Sequence, residues 1–283
     1  MTELLAILTD PAIPFFRYAL LAGLLSSIAF GIIGSYVVAR RISYLAGAIS
    51  HCILGGIGGA LYLQKAKGVE WLDPVWGAAL AALVAAVVIG LVSLHARQRE
   101  DTVIGALWGI GMAAGLLFLA KTPGYVEPMS YLFGNILLMT RNDVLVVLVL
   151  DLIIVAAGLL FYNRFLAVCF DGEFARLRGV PTRLYYMLLL VLTSLAIVLL
   201  VRLVGVVLVV ALLTLPAAVA SYFCRSLWQM MLLSSLCCAL FIVGGLLSSY
   251  QLDLPSGPTI IIIAGGVYLL VAAGQSLRRR WLR

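Results

Sequence analysis

The chain has 283 residues, of which 64% are hydrophobic and only 11% are charged, and its mean hydropathy is +1.15. Because an ordinary soluble domain carries about a quarter charged residues, this composition excludes a soluble globular protein and also an intrinsically disordered one. In so apolar a chain, the formal net charge of +7 is better explained by membrane topology than by a nucleic-acid partner.

Apolar segments of about 20 residues follow one another along the chain and predict membrane-spanning helices. They lack the polar and apolar alternation of an outer-membrane barrel, so the predicted fold is an all-α, polytopic helical integral membrane protein. We expect about nine spans, or eight if the two segments that meet near residues 202–205 form one bent or broken helix. The predicted spans are 18–39, 47–63, 74–94, 103–120, 144–162, 185–201, 204–223, 228–247 and 259–273.

Three further features complete this outline. The segment 129–140, MSYLFGNILLMT, is apolar but too short to cross a bilayer, which predicts a re-entrant or interfacial helix. The N-terminal residues carry Glu3 and Asp10 instead of a basic region, so no cleaved signal peptide is expected. No linker or domain boundary is evident, and residues 1–283 are expected to form a single transmembrane domain.

The basic residues predict the orientation of the chain. If the loop that holds Arg40 and Arg41 is cytoplasmic, alternation across nine spans places most of the 19 Lys and Arg residues on that same side. The N-terminus then lies outside and the C-terminus lies in the cytoplasm.

Two ionisable residues inside predicted spans are candidates for function, because such groups are costly within a membrane. His51 lies on a helical face with Gly47, Gly55 and Gly59, and small residues at this spacing predict packing against another helix. Its imidazole could therefore ligate a cation or form a hydrogen bond across that interface. Cys52 is an additional candidate metal donor.

Asp151, in the run VLVLDLII, has no charged partner nearby in the sequence. It could be a metal ligand, a proton-linked carboxylate or a pair for Arg202, although a structural hydrogen-bonding role is favoured. The five cysteines show no CxxC spacing, so neither a disulfide framework nor a thiolate zinc site is expected.

The loop 169–183, CFDGEFARLRGVPTR, predicts a helix of barely two turns. Asp171 can cap its start, Gly179 can end it in the left-handed conformation, and Pro181 prevents its continuation. A short amphipathic helix of this kind is either an element at the membrane surface or a knob that enters a partner's groove.

The chain has no G-x-x-x-x-G-K-[ST] phosphate loop, so it cannot itself be an ATPase of the P-loop type. Any mechanism driven by ATP requires another subunit.

Four stretches together carry a resemblance to a known family. They read RRISYLAGAISHCILGGIG, then DTVIGALWGIG with MSYLFGNIL, then DGEFARLRGVPTR, and finally VRLVGVVLVVALLTLPAAVA. In order and spacing they resemble the membrane-spanning permease subunits of ATP-binding-cassette importers for zinc, manganese and iron(II). The similarity extends over nearly the whole chain, from about residue 17 to residue 274.

The resemblance implies a homodimeric permease of the large importer type in the bacterial cytoplasmic (inner) membrane. Its implied partners are two cytoplasmic ATPase subunits and an extracytoplasmic metal-binding protein. ATP hydrolysis is expected in the partner chain, so no catalytic residue and no permanently bound cofactor are expected here. The loop 171–183 then resembles the coupling helix that docks into the ATPase, through Asp171, Glu173, Phe174, Arg176, Leu177, Arg178 and Gly179.

The resemblance also singles out His51 as part of a transient site for the transported divalent cation. Many family members carry an aspartate four residues earlier, where this chain has Gly47, and in this it is similar to a subgroup that reads GGISH. Zinc suits imidazole best among the abundant divalent ions and is favoured, with manganese and iron(II) as alternatives. The site is expected to alternate its access between the two sides of the membrane.

Two other functions compete with this one. An ATP-driven importer of a metal chelate, such as a siderophore or cobalamin, needs a wide cavity and does not need His51. A secondary carrier driven by protons would instead use Asp151 and His51 as its relay. An intramembrane enzyme that uses Cys52 or His51 has less support, because no recognisable catalytic arrangement is present.

Overall fold

The computed structural model describes residues 14–69, 71–95, 100–124, 132 and 140–281, and every regular element within these ranges is a helix. The all-α fold predicted from composition is therefore confirmed. The helices are α1 (Pro14–Ala39), α2 (Ser43–Lys67), α3 (Pro74–His95), α4 (Glu100–Lys121), α5 (Arg141–Leu160), α6 (Tyr162–Phe170), α7 (Gly172–Leu177), α8 (Thr182–Val204), α9 (Val206–Ser221), α10 (Leu227–Leu252) and α11 (Ser256–Trp281).

Eight helices in the described part of the chain are long and apolar enough to cross a membrane, namely α1 to α5, α8, α10 and α11. Helix α9 is apolar but has only 16 residues, a rise of about 24 Å against a hydrocarbon core of about 30 Å. The structure confirms the expected eight to nine spans. The segments that meet near residue 204 are separate helices, because Gly205 interrupts the chain with a φ of +80°.

Helix α1 lies at the centre of the bundle and packs against α5, α8, α9 and α10. Glycines bring the backbones close together, as small residues commonly do between membrane helices. Gly31 lies against the backbone of Ser235 in α10, and Gly34 lies against the carbonyl of Leu213 in α9. The Tyr36 hydroxyl donates a hydrogen bond of 2.9 Å to the Gly158 carbonyl and so fixes α1 to α5.

Helix α2 packs between α3 and α4. A Cβ atom built on Gly55 would lie 2.9 Å from the Gly111 carbonyl oxygen of α4, and one on Gly59 would lie 3.8 Å from the Phe118 ring. The predicted small-residue face of α2 therefore does pack against another helix, and that helix is α4. This arrangement places His51 in the α2–α4 interface.

Some predictions fall outside the described residues. The predicted re-entrant helix at 129–140 lies outside them except for Leu132 and Thr140, and the N-terminal residues 1–13 do as well. The side chain of Arg202, offered above as a partner for Asp151, is likewise outside the described part.

Candidate functional site

His51 stacks on the indole ring of Trp108, which α4 contributes to the α2–α4 interface. The two ring centroids are 4.6 Å apart and the ring planes differ by 23°. The Nδ1 atom of His51 is buried and has no hydrogen-bond partner in the part of the chain that the structure describes. An imidazole nitrogen in this state can accept a hydrogen bond or donate its lone pair to a cation.

Gly47 lies one turn before His51 and faces the same indole ring. A Cβ atom built on Gly47 would lie 2.6 Å from Cζ3 and 2.8 Å from Cη2 of Trp108. Since real Cβ atoms essentially never approach so closely, any larger residue at position 47 must displace the indole. The absence of a side chain at Gly47 and the position of Trp108 are therefore coupled.

Cys52 contributes to the same interface through its thiol. The Sγ–H group donates to the Leu107 carbonyl at 3.3 Å, and the Cα atom lies 2.7 Å from the position that a Cβ on Gly111 would take. The thiol thus links α2 to the backbone of α4, next to the residue that carries the indole.

Asp151 lies at a different helix interface. It is 5% exposed and shares the buried face of α5 with Val147, Ile154 and Gly158, the last of which contacts Ile32 of α1. Its Oδ1 atom has no hydrogen-bond partner among the described residues. Neither Asp151 nor His51 belongs to a described group of three or more His, Cys, Asp or Glu side chains able to hold a metal ion.

The segment predicted to form the short helix has the expected local structure. The Phe174 N–H group donates a 2.8 Å hydrogen bond to Asp171 Oδ1, so Asp171 caps the N-terminus of α7. Gly179 has a φ of +77°, the left-handed conformation expected just past a helix end. Both predictions about the ends of this helix are confirmed.

Helix α7 presents apolar side chains away from the bundle. Leu177 is 85% exposed and Phe174 is 53% exposed, whereas Ala175 is buried. The Arg178 guanidinium lies 5.0 Å from the centroid of the Phe174 ring. An exposed apolar pair with flanking cations suits either a groove in another protein or a membrane surface.

A polar pocket of about 480 Å³ adjoins α7 at the same end of the bundle. Arg40, which follows α1, reaches the Tyr186 ring with a separation of 5.8 Å, and the Tyr186 hydroxyl lies 2.9 Å from that of Ser93 near the end of α3. The ends of α1 and α3 and the start of α8 therefore lie beside the short helix. The lining includes the three basic residues Arg40, Arg176 and Arg183.

Reasoning from the sequence found His51, Gly47 and the capped helix but missed Trp108. The residue stands in the run DTVIGALWGIG, where the surrounding glycines indicate close helix packing without naming its partner. Only the folded bundle shows that the indole lies over both His51 and Gly47.

Curated relatives resemble the chain over most of its length. It is 40% identical to the "Probable metal transport system membrane protein" of Chlamydia trachomatis serovar D, over 91% of this chain and 88% of that protein. It is 31% identical to the manganese transport system membrane protein MntC of Halalkalibacterium halodurans, over 90% of this chain and 86% of that protein.

The fold is also similar to that of PsaBC from Streptococcus pneumoniae, solved in complex with a Fab, with a TM-score of 0.80 and 30% sequence identity. The match covers 91% of this chain and 90% of that one. Residues 12–275 match the ABC 3 transport family. The resemblance to the permeases of metal-ion importers is thereby confirmed, and this multi-pass membrane protein belongs to the ABC 3 transport family.

Proposed function

We propose that this chain, over residues 1–283, is the single-domain membrane permease of an ATP-driven importer that brings a divalent metal cation into the bacterial cytoplasm. The observation that carries the proposal is the buried Nδ1 atom of His51, which has no hydrogen-bond partner among the described residues. A ring nitrogen left free at a membrane-helix interface is costly unless it has a function. The names of the relatives, one of them a manganese transport protein, support a metal ion as the cargo.

The site at His51 is expected to bind its cation weakly. One imidazole nitrogen is available there, and the described residues hold no cluster of three metal-binding side chains. A transport site must release what it binds, so a sparse set of donors suits passage better than storage. Backbone carbonyls, or a second His51 across the axis of a homodimer, would complete the set of ligands.

The chemistry of the donors favours zinc. Imidazole suits zinc, whereas carboxylate oxygens suit manganese better, and no carboxylate stands at position 47. Manganese is the second candidate, favoured by the name of the relative from Halalkalibacterium halodurans.

The energy for transport enters through α7. Its exposed Phe174 and Leu177 have the size and spacing to fill an apolar groove of a cytoplasmic ATPase subunit. This assigns the end of the bundle that holds α7 to the cytoplasm. If the short helix α9 crosses the membrane as α8, α10 and α11 do, the C-terminus lies on the same side. ATP binding and hydrolysis in the partner then move two permease copies between outward-facing and inward-facing states, and an extracytoplasmic metal-binding protein delivers the cation.

The test is metal uptake in a strain that lacks this permease, complemented with its whole operon. Cellular zinc, manganese and iron are measured by elemental analysis for the wild type, His51→Ala and His95→Ala at matched membrane levels. His95 is the matched control, because it is the other histidine of the chain, is exposed, and its ring contacts the Leu91 carbonyl of its own helix at 2.8 Å.

The wild type and His95→Ala are expected to restore one metal, and His51→Ala is expected to lose it. Restoration by all three proteins would remove His51 from the pathway. Failure of the wild type to restore any of the three metals would overturn the proposed cargo and favour a metal chelate. Uptake that continues when the ATPase subunit is inactivated would instead indicate a proton-driven carrier.

A further inference from the structure

Trp108 makes two contacts at the candidate site. Its ring stacks on the imidazole at 4.6 Å, within the separation at which aromatic pairs attract one another. The same ring fills the space next to the backbone of Gly47. One indole therefore lies both against the candidate ligand and in the place where a side chain one turn earlier would extend.

The stacking restricts the orientation of the imidazole. A histidine side chain turns broadly about its terminal torsion unless its surroundings hold it. The near-parallel indole covers one face of the ring, so its nitrogens point along the plane of the stack. A cation binds an imidazole nitrogen along its lone pair, which lies in the ring plane, so fixing this plane also fixes the direction from which a cation can approach His51.

The position of the indole also determines which donor atoms are available. Because a Cβ atom at position 47 would overlap the ring, the indole can take this position only beside a glycine, and a glycine brings no oxygen ligand of its own side chain. The candidate ligand here is therefore the imidazole nitrogen without a neighbouring carboxylate. Nitrogen ligands favour zinc, whereas carboxylates favour manganese.

We propose that Trp108 is a positioning and selectivity residue of the cation pathway, which occupies the space beside Gly47 and there orients the imidazole of His51. This inference rests on the function proposed above. Gly47 also has a role in this proposal, because a glycine at that position leaves the room that the indole needs to reach His51.

A merely structural Trp108 is the alternative, since the side chain is 36% exposed and could serve only to pack α2 against α4. The two roles differ in their consequences. Loss of packing lowers the amount or the turnover of the transporter for every metal, whereas loss of selectivity changes the KM for one metal relative to another.

The experiment measures zinc and manganese uptake over a concentration series for the intact transporter with its ATPase and binding protein. The variants are Trp108→Leu, Trp108→Phe, Gly47→Ala and the double variant Trp108→Leu with Gly47→Ala. Gly59→Ala is the matched control on the same face of α2, because a Cβ there meets only an ordinary contact with Phe118 at 3.8 Å. Trp228→Leu controls for loss of an exposed tryptophan.

In Trp108→Leu we expect the ratio of the two KM values to shift toward manganese by at most about fivefold, because the change cannot exceed the attraction by which the aromatic pair orients His51. Gly47→Ala should give the same shift because it displaces the indole, and the double variant should add nothing further. Trp108→Phe keeps an aromatic face and should retain most of the wild-type ratio. The two control variants should leave the ratio unchanged.

Two results would overturn the inference. One is an unchanged ratio in Trp108→Leu, and the other is an equal fall in uptake of both metals without a change in the ratio, which is the behaviour of a packing residue. Either result can be interpreted only if the wild-type transporter takes up metal. Absence of wild-type uptake would reject the proposed function itself, so the two failures are distinguishable.

Discussion

Gly56 of α2 and Gly77 of α3 meet where the two helices cross, and each leaves room for the backbone of the other. A Cβ atom on Gly56 would overlap the Gly77 carbonyl oxygen and lie 2.6 Å from the Cβ of Ala81. A Cβ on Gly77 would in turn overlap the Gly56 carbonyl oxygen. This crossing holds α2 against α3 on one side while α4 covers His51 on the other.

Gly56→Ala is therefore expected to destabilise the bundle. Overpacking of a close interface costs about 1–3 kcal/mol, which exceeds the gain of about 1 kcal/mol that alanine brings to a helix interior. Thermal unfolding of the purified protein in detergent measures the effect. Gly266→Ala is the control, because a Cβ there meets nothing within 4 Å and should leave the melting temperature unchanged or higher. A Gly56→Ala protein as stable as the wild type would contradict the close crossing.

The parts of the fold that depend on local signals could be predicted from the sequence. The runs of apolar residues predicted the long spans. Asp171 and Gly179 predicted the ends of α7, because a capping hydrogen bond and a positive φ each involve only a few neighbouring residues. The contact between Trp108 and His51 could not be predicted. It depends on how α2 and α4 pack, and that register is set by many glycines on both helices.

The short helix α9 shows a second limit of the sequence. Residues 204–223 form an uninterrupted apolar run and were expected to be a full span, yet the helix occupies only Val206–Ser221. Apolarity does not distinguish a helix surrounded by lipid from one surrounded by protein. Helix α9 packs on α1, α2, α10 and α11, so protein covers much of its apolar surface.

The cysteines provide a test of the orientation of the chain. A membrane-impermeant maleimide should label Cys224, a partly exposed residue between α9 and α10, in inverted vesicles and not in right-side-out vesicles. Cys169, close to α7, should stay unlabelled at pH 7.5 from either side. Its Sγ–H group is buried against the Tyr36 carbonyl, and burial raises the pKa of the thiol to about 12, so the reactive thiolate is absent.

Peptide mass spectrometry of the intact, labelled protein locates each modified cysteine without any substitution. Labelling after denaturation in SDS provides the control, since all five cysteines are free thiols. Labelling of Cys224 in right-side-out vesicles would reverse the proposed topology. Labelling of Cys169 that rises between pH 7 and 9 would show that its thiol is neither buried nor shifted.

Asp151→Asn distinguishes a structural carboxylate from a proton relay or a metal ligand. The side chain is 5% exposed and its Oδ1 has no hydrogen-bond partner among the described residues, a costly state for a charged group within a membrane. The amide has nearly the same shape without the charge, so metal uptake should remain within about twofold of the wild type and thermal stability should be equal or higher.

Asp253→Asn is the control for the same chemical change outside the core. Asp253 is exposed and has a φ of +51°, a conformation that asparagine also accepts. Loss of uptake in Asp151→Asn alone, at a normal membrane level, would show that the carboxylate acts directly in transport. That outcome would indicate either a metal ligand or the carboxylate of a proton-driven carrier.

Leu177→Ala should uncouple the permease from its ATPase without harming the permease itself. Because the side chain is 85% exposed, its removal should leave the melting temperature unchanged, whereas an apolar anchor lost from an interface weakens binding by about tenfold or more. Co-purification of the ATPase subunit with the tagged permease, followed by ATP-dependent uptake, measures both consequences. Phe223→Ala is the matched control, since Phe223 is also apolar and 59% exposed but lies in the loop after α9. Equal retention of the ATPase by Leu177→Ala and Phe223→Ala would mean that α7 rests on the membrane surface. The ATPase would then have to contact the permease through other residues at the same end of the bundle.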